Sequence, residues 1–289
     1  MWRPLCKYCI PLAAATSLAF AQGPALHAPS TVSAGSPFTV SAGGQGKATF
    51  YLLGPAHVSK RTIELGQDIS IRGEEVTASG AYQAVACDSN GCTSAIVHVL
   101  PSSPARLSFL LHPSRVPVSA PKAVNATALV FDRFRNTVIA PAKVDFRLSL
   151  AGEPVTTRTV QTVRGVASFQ MDARPKQGAL EVVASLGETA EPRVIQQVAS
   201  EACGLRMTAV PGDGTVKLQT DPIRDCAGNP LPDGTIVSFT KTDNAGRSTV
   251  DTPIKKERAS AQFGVSGPAR ISVACGVVSG NEISIGGRL

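Results

Sequence analysis

Aromatic residues are scarce in this chain of 289 residues, which has one tryptophan, three tyrosines and ten phenylalanines. The tryptophan is Trp2 and one tyrosine is Tyr8, both within the first twenty-one residues, so Tyr51 and Tyr82 are the only other large amphipathic rings. A groove of stacked aromatic platforms for sugars is hard to build from that stock. Histidine is rarer still, and His27, His57, His98 and His112 have no metal-ligand spacing. No Gly-x-Ser-x-Gly elbow exists for a serine nucleophile. The acids fall in turns (Asp88, Asp213, Asp225, Asp243) or on exposed strand positions such as Asp145 and Glu181, without an apolar pocket to shift them. Gly44-Gln45-Gly46-Lys47 lacks the phosphate-loop spacing and leads into a strand pattern, so it reads as a hairpin turn. These absences argue against an enzyme and predict no catalytic residues, no metal and no cofactor. Sustained helical periodicity is missing too, which excludes an α-helical body.

What the chain has in quantity is glycine and proline, 26 and 21 residues. They punctuate short apolar runs, the composition of an all-β protein. Arg3 and Lys7, the apolar stretch Ile10–Phe20 and the Ala19-Phe20-Ala21 site make residues 1–21 a signal peptide cleaved near Gln22. Cys6 and Cys9 lie inside that leader. No later stretch is long and apolar enough to cross a bilayer, so the mature chain is expected to be soluble, without a transmembrane segment, and secreted, periplasmic or at the cell surface.

Asp225-Cys-Ala-Gly-Asn-Pro-Leu-Pro-Asp-Gly-Thr-Ile-Val-Ser-Phe-Thr240 runs from a polar turn into an alternating strand. Asp132, Asn136, Val144 and Phe146 stand 93 residues before Asp225, Asn229, Val237 and Phe239 (225 − 132, 229 − 136, 237 − 144, 239 − 146). A constant offset over four positions means a repeated module, of a size that suits an immunoglobulin-like sandwich. The pattern Asp-x-x-Gly-Asn-Pro, then Asp-Gly-Thr-x-Val-x-Phe, resembles the bacterial Ig-like domains of invasins and intimins. Asp225, Gly228, Asn229, Pro230, Gly234, Val237 and Phe239 fit it, whereas the earlier copy has Arg135 in place of Gly228 and Pro141 in place of Gly234.

That resemblance implies three tandem Ig-like β-sandwich domains, at 29–101, 105–200 and 203–289. Pro101-Ser102-Ser103-Pro104 is the first boundary, and Glu201-Ala202 a weaker second one. Gly80-Ala81-Tyr82 resembles the tyrosine corner of Ig-like folds, although Ala84 stands where antibody domains carry cysteine. The barrel that anchors invasins has no room here, which points to another envelope component as the partner.

Five cysteines follow the leader, and an oxidising compartment makes disulfides their default. Cys87 and Cys92 flank Asp88-Ser89-Asn90-Gly91 and would staple a hairpin tip. In an Ig-like sandwich Cys203, Cys226 and Cys275 fall at one pole, and the sequence leaves their pairing open. Cys203–Cys226 is the favoured pair, with Cys275 the candidate free thiol.

The formal net charge is +7, or +5 once Arg3 and Lys7 leave with the leader (7 − 2). Basic residues are scattered, which argues against a specific nucleic-acid partner. Arg133, Phe134 and Arg135 form the most pointed exposed cluster and are the candidate binding loop. The expectation is an exported, non-enzymatic structural or adhesive protein that binds an envelope or extracellular protein or glycan. Two alternatives stand beside it, a periplasmic chaperone or assembly factor that uses an exposed edge strand to complete a client's sheet and an accessory module of a secreted hydrolase system.

Overall fold

A computed structural model describes residues 24–286; the expected leader lies outside them. The described chain is strand and turn apart from one 3-10 turn at Gly73–Val76, so the all-β class holds. It forms two compact units, Met1–Ser102 and Ser103–Leu289.

Unit one contains β1 (Ala25–His27), β2 (Thr31–Ser33), β3 (Phe38–Gly43), β4 (Lys47–Leu53), β5 (Val58–Glu64), β6 (Asp68–Ile71), β7 (Gly80–Asp88) and β8 (Gly91–Leu100). A three-stranded sheet β1-β3-β6 faces a five-stranded sheet β2-β8-β7-β4-β5. Alternation decides which face is inside: along β4, Ala48, Phe50 and Leu52 are buried while Lys47 and Leu53 are exposed. Tyr82 on β7 is 1% exposed, and its ring lies where a Cβ on Gly54 would stand. A side chain at Gly54 would therefore expel the largest residue of this core.

Unit two holds two such sheet pairs in succession. The first contains β9 (Arg106–His112), β10 (Arg115–Pro117), β11 (Val124–Phe131), β12 (Lys143–Ser149), β13 (Thr156–Gln161), β14 (Val166–Met171), β15 (Gly178–Leu186) and β16 (Thr189–Val198). Its sheets are β10-β16-β15-β12-β13 and β14-β11-β9. Phe109, Phe146 and Phe169 meet between them, at centroid separations of 5.7 Å and 4.9 Å from Phe146. The Arg158 guanidinium, on edge strand β13, caps Phe169 at 4.7 Å.

The second sheet pair contains β17 (Met207–Pro211), β18 (Thr215–Thr220), β19 (Ile236–Asp243), β20 (Gly246–Pro253), β21 (Ser260–Gly264), β22 (Ala269–Cys275) and β23 (Val278–Ile285). Here β17-β18-β21 packs on β20-β19-β22-β23. Its core is separate and includes Met207, Leu218, Val237, Phe239 and Ile271.

The 93-residue offset reappears in the backbone. Arg135 has φ 71° where Gly228 has φ 86°, so an arginine holds a left-handed position that glycine fills one module later. Left-handed backbone strains any residue with a Cβ. Arg135→Gly is accordingly expected to stabilise unit two by about 0.5–1 kcal/mol. A urea-unfolding midpoint that falls instead would mean that the arginine side chain outweighs its backbone strain.

Candidate functional site

The signature turn is built around one carboxylate. Asp225 is 4% exposed. Its Oδ1 accepts from the N–H groups of Ala227 (2.9 Å) and Asn229 (2.8 Å), closing the turn. Its Oδ2 accepts from the N–H of Ser200 at 3.0 Å, in the segment that joins the two sandwiches. The Asn229 side-chain amide bonds both oxygens, at 3.2 and 3.1 Å. Burial pushes the Asp225 carboxyl up, but these donors from Asn229, Ser200 and Ala227 outweigh it and hold the group below its ordinary value.

Asn229 also faces away from its own sandwich. Its Nδ2 donates to the carbonyl of Pro175 at 2.8 Å, and its Oδ1 accepts from the N–H of Gln177 at 3.0 Å. Both partners lie in the loop between β14 and β15. The other side of that loop is held by Gln197 of β16, fully buried, which accepts from Arg174 N–H at 2.7 Å and donates to Lys176 C=O at 2.8 Å. Two buried carboxamides, one from each sandwich, thus grip the backbone of four consecutive residues of one loop, Arg174 to Gln177. The turn is a joint between the two sandwiches of unit two.

The earlier copy of the turn folds alike. The N–H groups of Phe134 and Asn136 donate to Asp132 Oδ1 at 2.9 and 2.8 Å, and Asn136 Nδ2 donates to Oδ2 at 2.8 Å. Arg133 and Arg135 are exposed and Phe134 is half-buried, with the Arg133 guanidinium 4.5 Å above the Phe134 ring. The three residues therefore form one contiguous basic and aromatic tip.

The cysteine geometry is specific. Sγ of Cys87 and Cys92 are 2.03 Å apart across the β7–β8 turn. Those of Cys203 and Cys226 are 2.07 Å apart. Cys275 is free and buried, and burial pushes its thiol pKa up, the opposite of what a nucleophilic thiolate needs.

The densest ionisable cluster sits in unit one. Glu75, in the 3-10 turn, is 4% exposed. It lies 3.6 Å from Arg61, 3.7 Å from Arg72 and 3.9 Å from His57, and it accepts from the N–H of Arg72 at 3.0 Å. Burial raises its pKa; the Arg72 hydrogen bond and the charges of Arg61, Arg72 and His57 bring the carboxyl below its ordinary value. An ionised acid ringed by cations can neither donate nor readily take up a proton near neutral pH, so the cluster suits a structural tie under β5. Glu75→Gln is expected to destabilise unit one by about 1–3 kcal/mol, because Arg61 and Arg72 lose their countercharge. Thermal melts of the variant check this, and an unchanged midpoint would refute the tie. Among the described residues, no group of three or more His, Cys, Asp or Glu is arranged to hold a metal. Nor is any helix there long and apolar enough to cross a membrane.

No family model matches the chain, and no curated protein sequence does. Solved structures do. FdeC, an Escherichia coli adhesin, superposes with a TM-score of 0.63 at 14% identity, over 90% of this chain and 95% of that one. The fold is the Ig-like β-sandwich fold of that adhesin. Invasin, a bacterial integrin-binding protein, gives a TM-score of 0.54 at 13% identity over 91% of this chain, which spans 59% of the invasin chain. InvD of Yersinia pseudotuberculosis aligns at 10% identity over 91% of this chain and 96% of its own, with a TM-score of 0.49. The resemblance read from the Asp-x-x-Gly-Asn-Pro turn is thus matched at the level of the Ig-like fold.

Sequence reasoning found the turn but missed its reach across to Pro175 and Gln177, and missed Gln197 altogether. Both contacts end on backbone atoms, which have no residue signature. A buried glutamine in the last strand of a module was the one signal available.

Proposed function

We propose that this is an exported, non-enzymatic adhesive protein of three tandem Ig-like modules, residues 29–101, 105–200 and 203–289, that binds an envelope or extracellular protein or glycan. The observation that carries the reading is the adhesin fold shared with FdeC over 90% of the chain. The side chains add support, since the buried carboxylate of the Glu75 cluster is tied up by Arg61 and Arg72. Exposed edges also speak for this reading over strand donation: β5 carries Lys60 and an inward Arg61, β13 carries Arg158, and β20 carries Arg247 and Pro253. Charges and prolines on edges oppose pairing with a further strand. The Arg133–Phe134–Arg135 tip is the proposed contact surface, because a cationic and aromatic loop on a rigid sandwich suits an anionic or polar partner.

The test is capture from fractionated envelope and extracellular material by the immobilised full chain, with an Arg133→Ala, Phe134→Ala, Arg135→Ala variant in parallel. Recovery of one defined protein or glycan by the parent, and loss with the variant, is expected. Equal recovery by both would move the contact surface elsewhere. Turnover of a recovered molecule would end the non-enzymatic reading.

A further inference from the structure

We propose that the Cys203–Cys226 disulfide is a solvent-reachable redox clamp on the joint of unit two, and that reducing it loosens the coupling of its two sandwiches. The connecting segment, residues 199–206, has no strand of its own. Backbone hydrogen bonds, buried side chains and the disulfide fasten it to the second sandwich, among them Asp221 N–H donating to Arg206 C=O at 2.9 Å. Ser200 N–H donates to Asp225 Oδ2 at 3.0 Å, and Cys203 N–H donates to Arg224 C=O at 2.8 Å. Ala202 and Leu205 are buried in that sandwich's core. Of these ties the disulfide is the covalent one.

Cys226 lies inside the Asp225–Asn229 turn, which grips the Pro175–Gln177 loop of the first sandwich through Asn229. The bond therefore ties the connecting segment to the element that crosses the joint. The earlier copy of the turn isolates its role. That copy carries Arg133 at the position of Cys226, yet makes the same Asp132–Asn136 hydrogen bonds. The turn folds without a disulfide, so what the sulfur bridge adds is the hold on the segment.

Access separates this bond from a buried structural one. Cys203 and Cys226 are both exposed, whereas Cys275 is buried. An incoming thiolate needs a path to a sulfur, and both residues of this bond lie at the surface. The step is thiol–disulfide exchange with a dithiol reductant. Two electrons and two protons pass to the Cys203–Cys226 bond, giving two thiols, while the reductant closes to its own disulfide.

The test is amide hydrogen exchange on the full chain, with and without dithiothreitol under native conditions, on the parent and on a Cys203→Ser, Cys226→Ser variant. A Cys87→Ser, Cys92→Ser variant removes the other bridge as a control. Protection of the Ser200, Cys203 and Gln177 amides is expected to fall at least tenfold on reduction, in the parent and in the Cys87/Cys92 variant. The Cys203/Cys226 variant should show that low protection without reductant. Strands β12, β19 and β22 should keep theirs in every case. Unchanged protection at Ser200 and Gln177 after reduction overturns the proposal, as does a bond that reacts only in denaturant. Loss of protection through β19 and β22 overturns it as well, since the bridge would then hold the sandwich and not the joint.

Discussion

Asp225→Ala is expected to destabilise unit two by about 3–5 kcal/mol, because it strands two buried donors of Asn229 and two half-buried backbone donors at once. The N–H groups of Ser200, Ala227 and Asn229 and the side-chain amide of Asn229 all point at this one carboxylate. A methyl group accepts none of them, and Asn229 sits in a pocket only 8% exposed, where water replaces the lost acceptor poorly. Asp225→Asn should lose less, since it keeps one acceptor oxygen, although its NH2 then opposes one set of these donors.

The same carboxylate sets a pH dependence. Its folded pKa is lowered, so the folded state prefers the ionised form more than the unfolded chain does. The stability this supplies is complete above the unfolded aspartate value of about 3.9 and is lost as pH falls through the lower folded value. Unit two should therefore melt at nearly the same temperature from pH 7 to about 5 and lose stability below about 4, with Asp225→Ala showing a shallower acid limb. Denaturant titrations of parent and variant at pH 7 and pH 3.5 measure both effects. Equal losses in the two proteins on acidification would remove Asp225 from the explanation.

The second large effect is expected from Phe146→Ala, about 3–5 kcal/mol. Phe146 is fully buried and stands between Phe109 and Phe169, nearly perpendicular to the latter at an interplanar angle of 75°. Truncation removes both ring contacts and leaves a cavity walled by strands from two sheets, which cannot close without moving a ladder. For a unit of this size the melting temperature should drop by roughly 6–20 °C. Phe146→Leu, which refills most of the space, should recover more than half of the loss. A drop below about 1 kcal/mol for the alanine variant would mean that the three-ring core is not packed as described.

Legibility in the sequence followed burial. Lys143–Ser149 is readable because one face is covered and the other wet, giving exposed Lys143, Asp145 and Arg147 against buried Val144, Phe146 and Leu148. Strands β13 and β20 escaped notice for the opposite reason. Both are sheet edges, with Thr156 to Thr159 and Gly246 to Thr249 exposed at every position, so no two-residue period runs the length of either strand. The Ser260–Gly264 strand, five residues with one fully buried side chain, is too short to announce itself. The Ig-like turn showed because identical residue types recur 93 positions apart. Its bridging role did not show, since Asn229 lies 54 residues from Pro175 and 52 from Gln177.

In unit one and in the first sandwich of unit two, a three-residue strand near the N-terminal end runs parallel to the final strand: β2 beside β8, and β10 beside β16. The last sandwich has no such pair among the described residues; Asn281 substitutes for it, its carboxamide bonding both the N–H and the C=O of Met207 at 2.7 and 3.0 Å. Parallel neighbours leave their sheet at opposite ends, so a pull on the two ends of such a module slides them past each other instead of peeling them apart. Every ladder bond between them is then loaded together. In the last module the Cys203–Cys226 bond carries such a pull past β17 to the Asp225–Asn229 turn, so the Asn281 contact is loaded only once that bond is reduced.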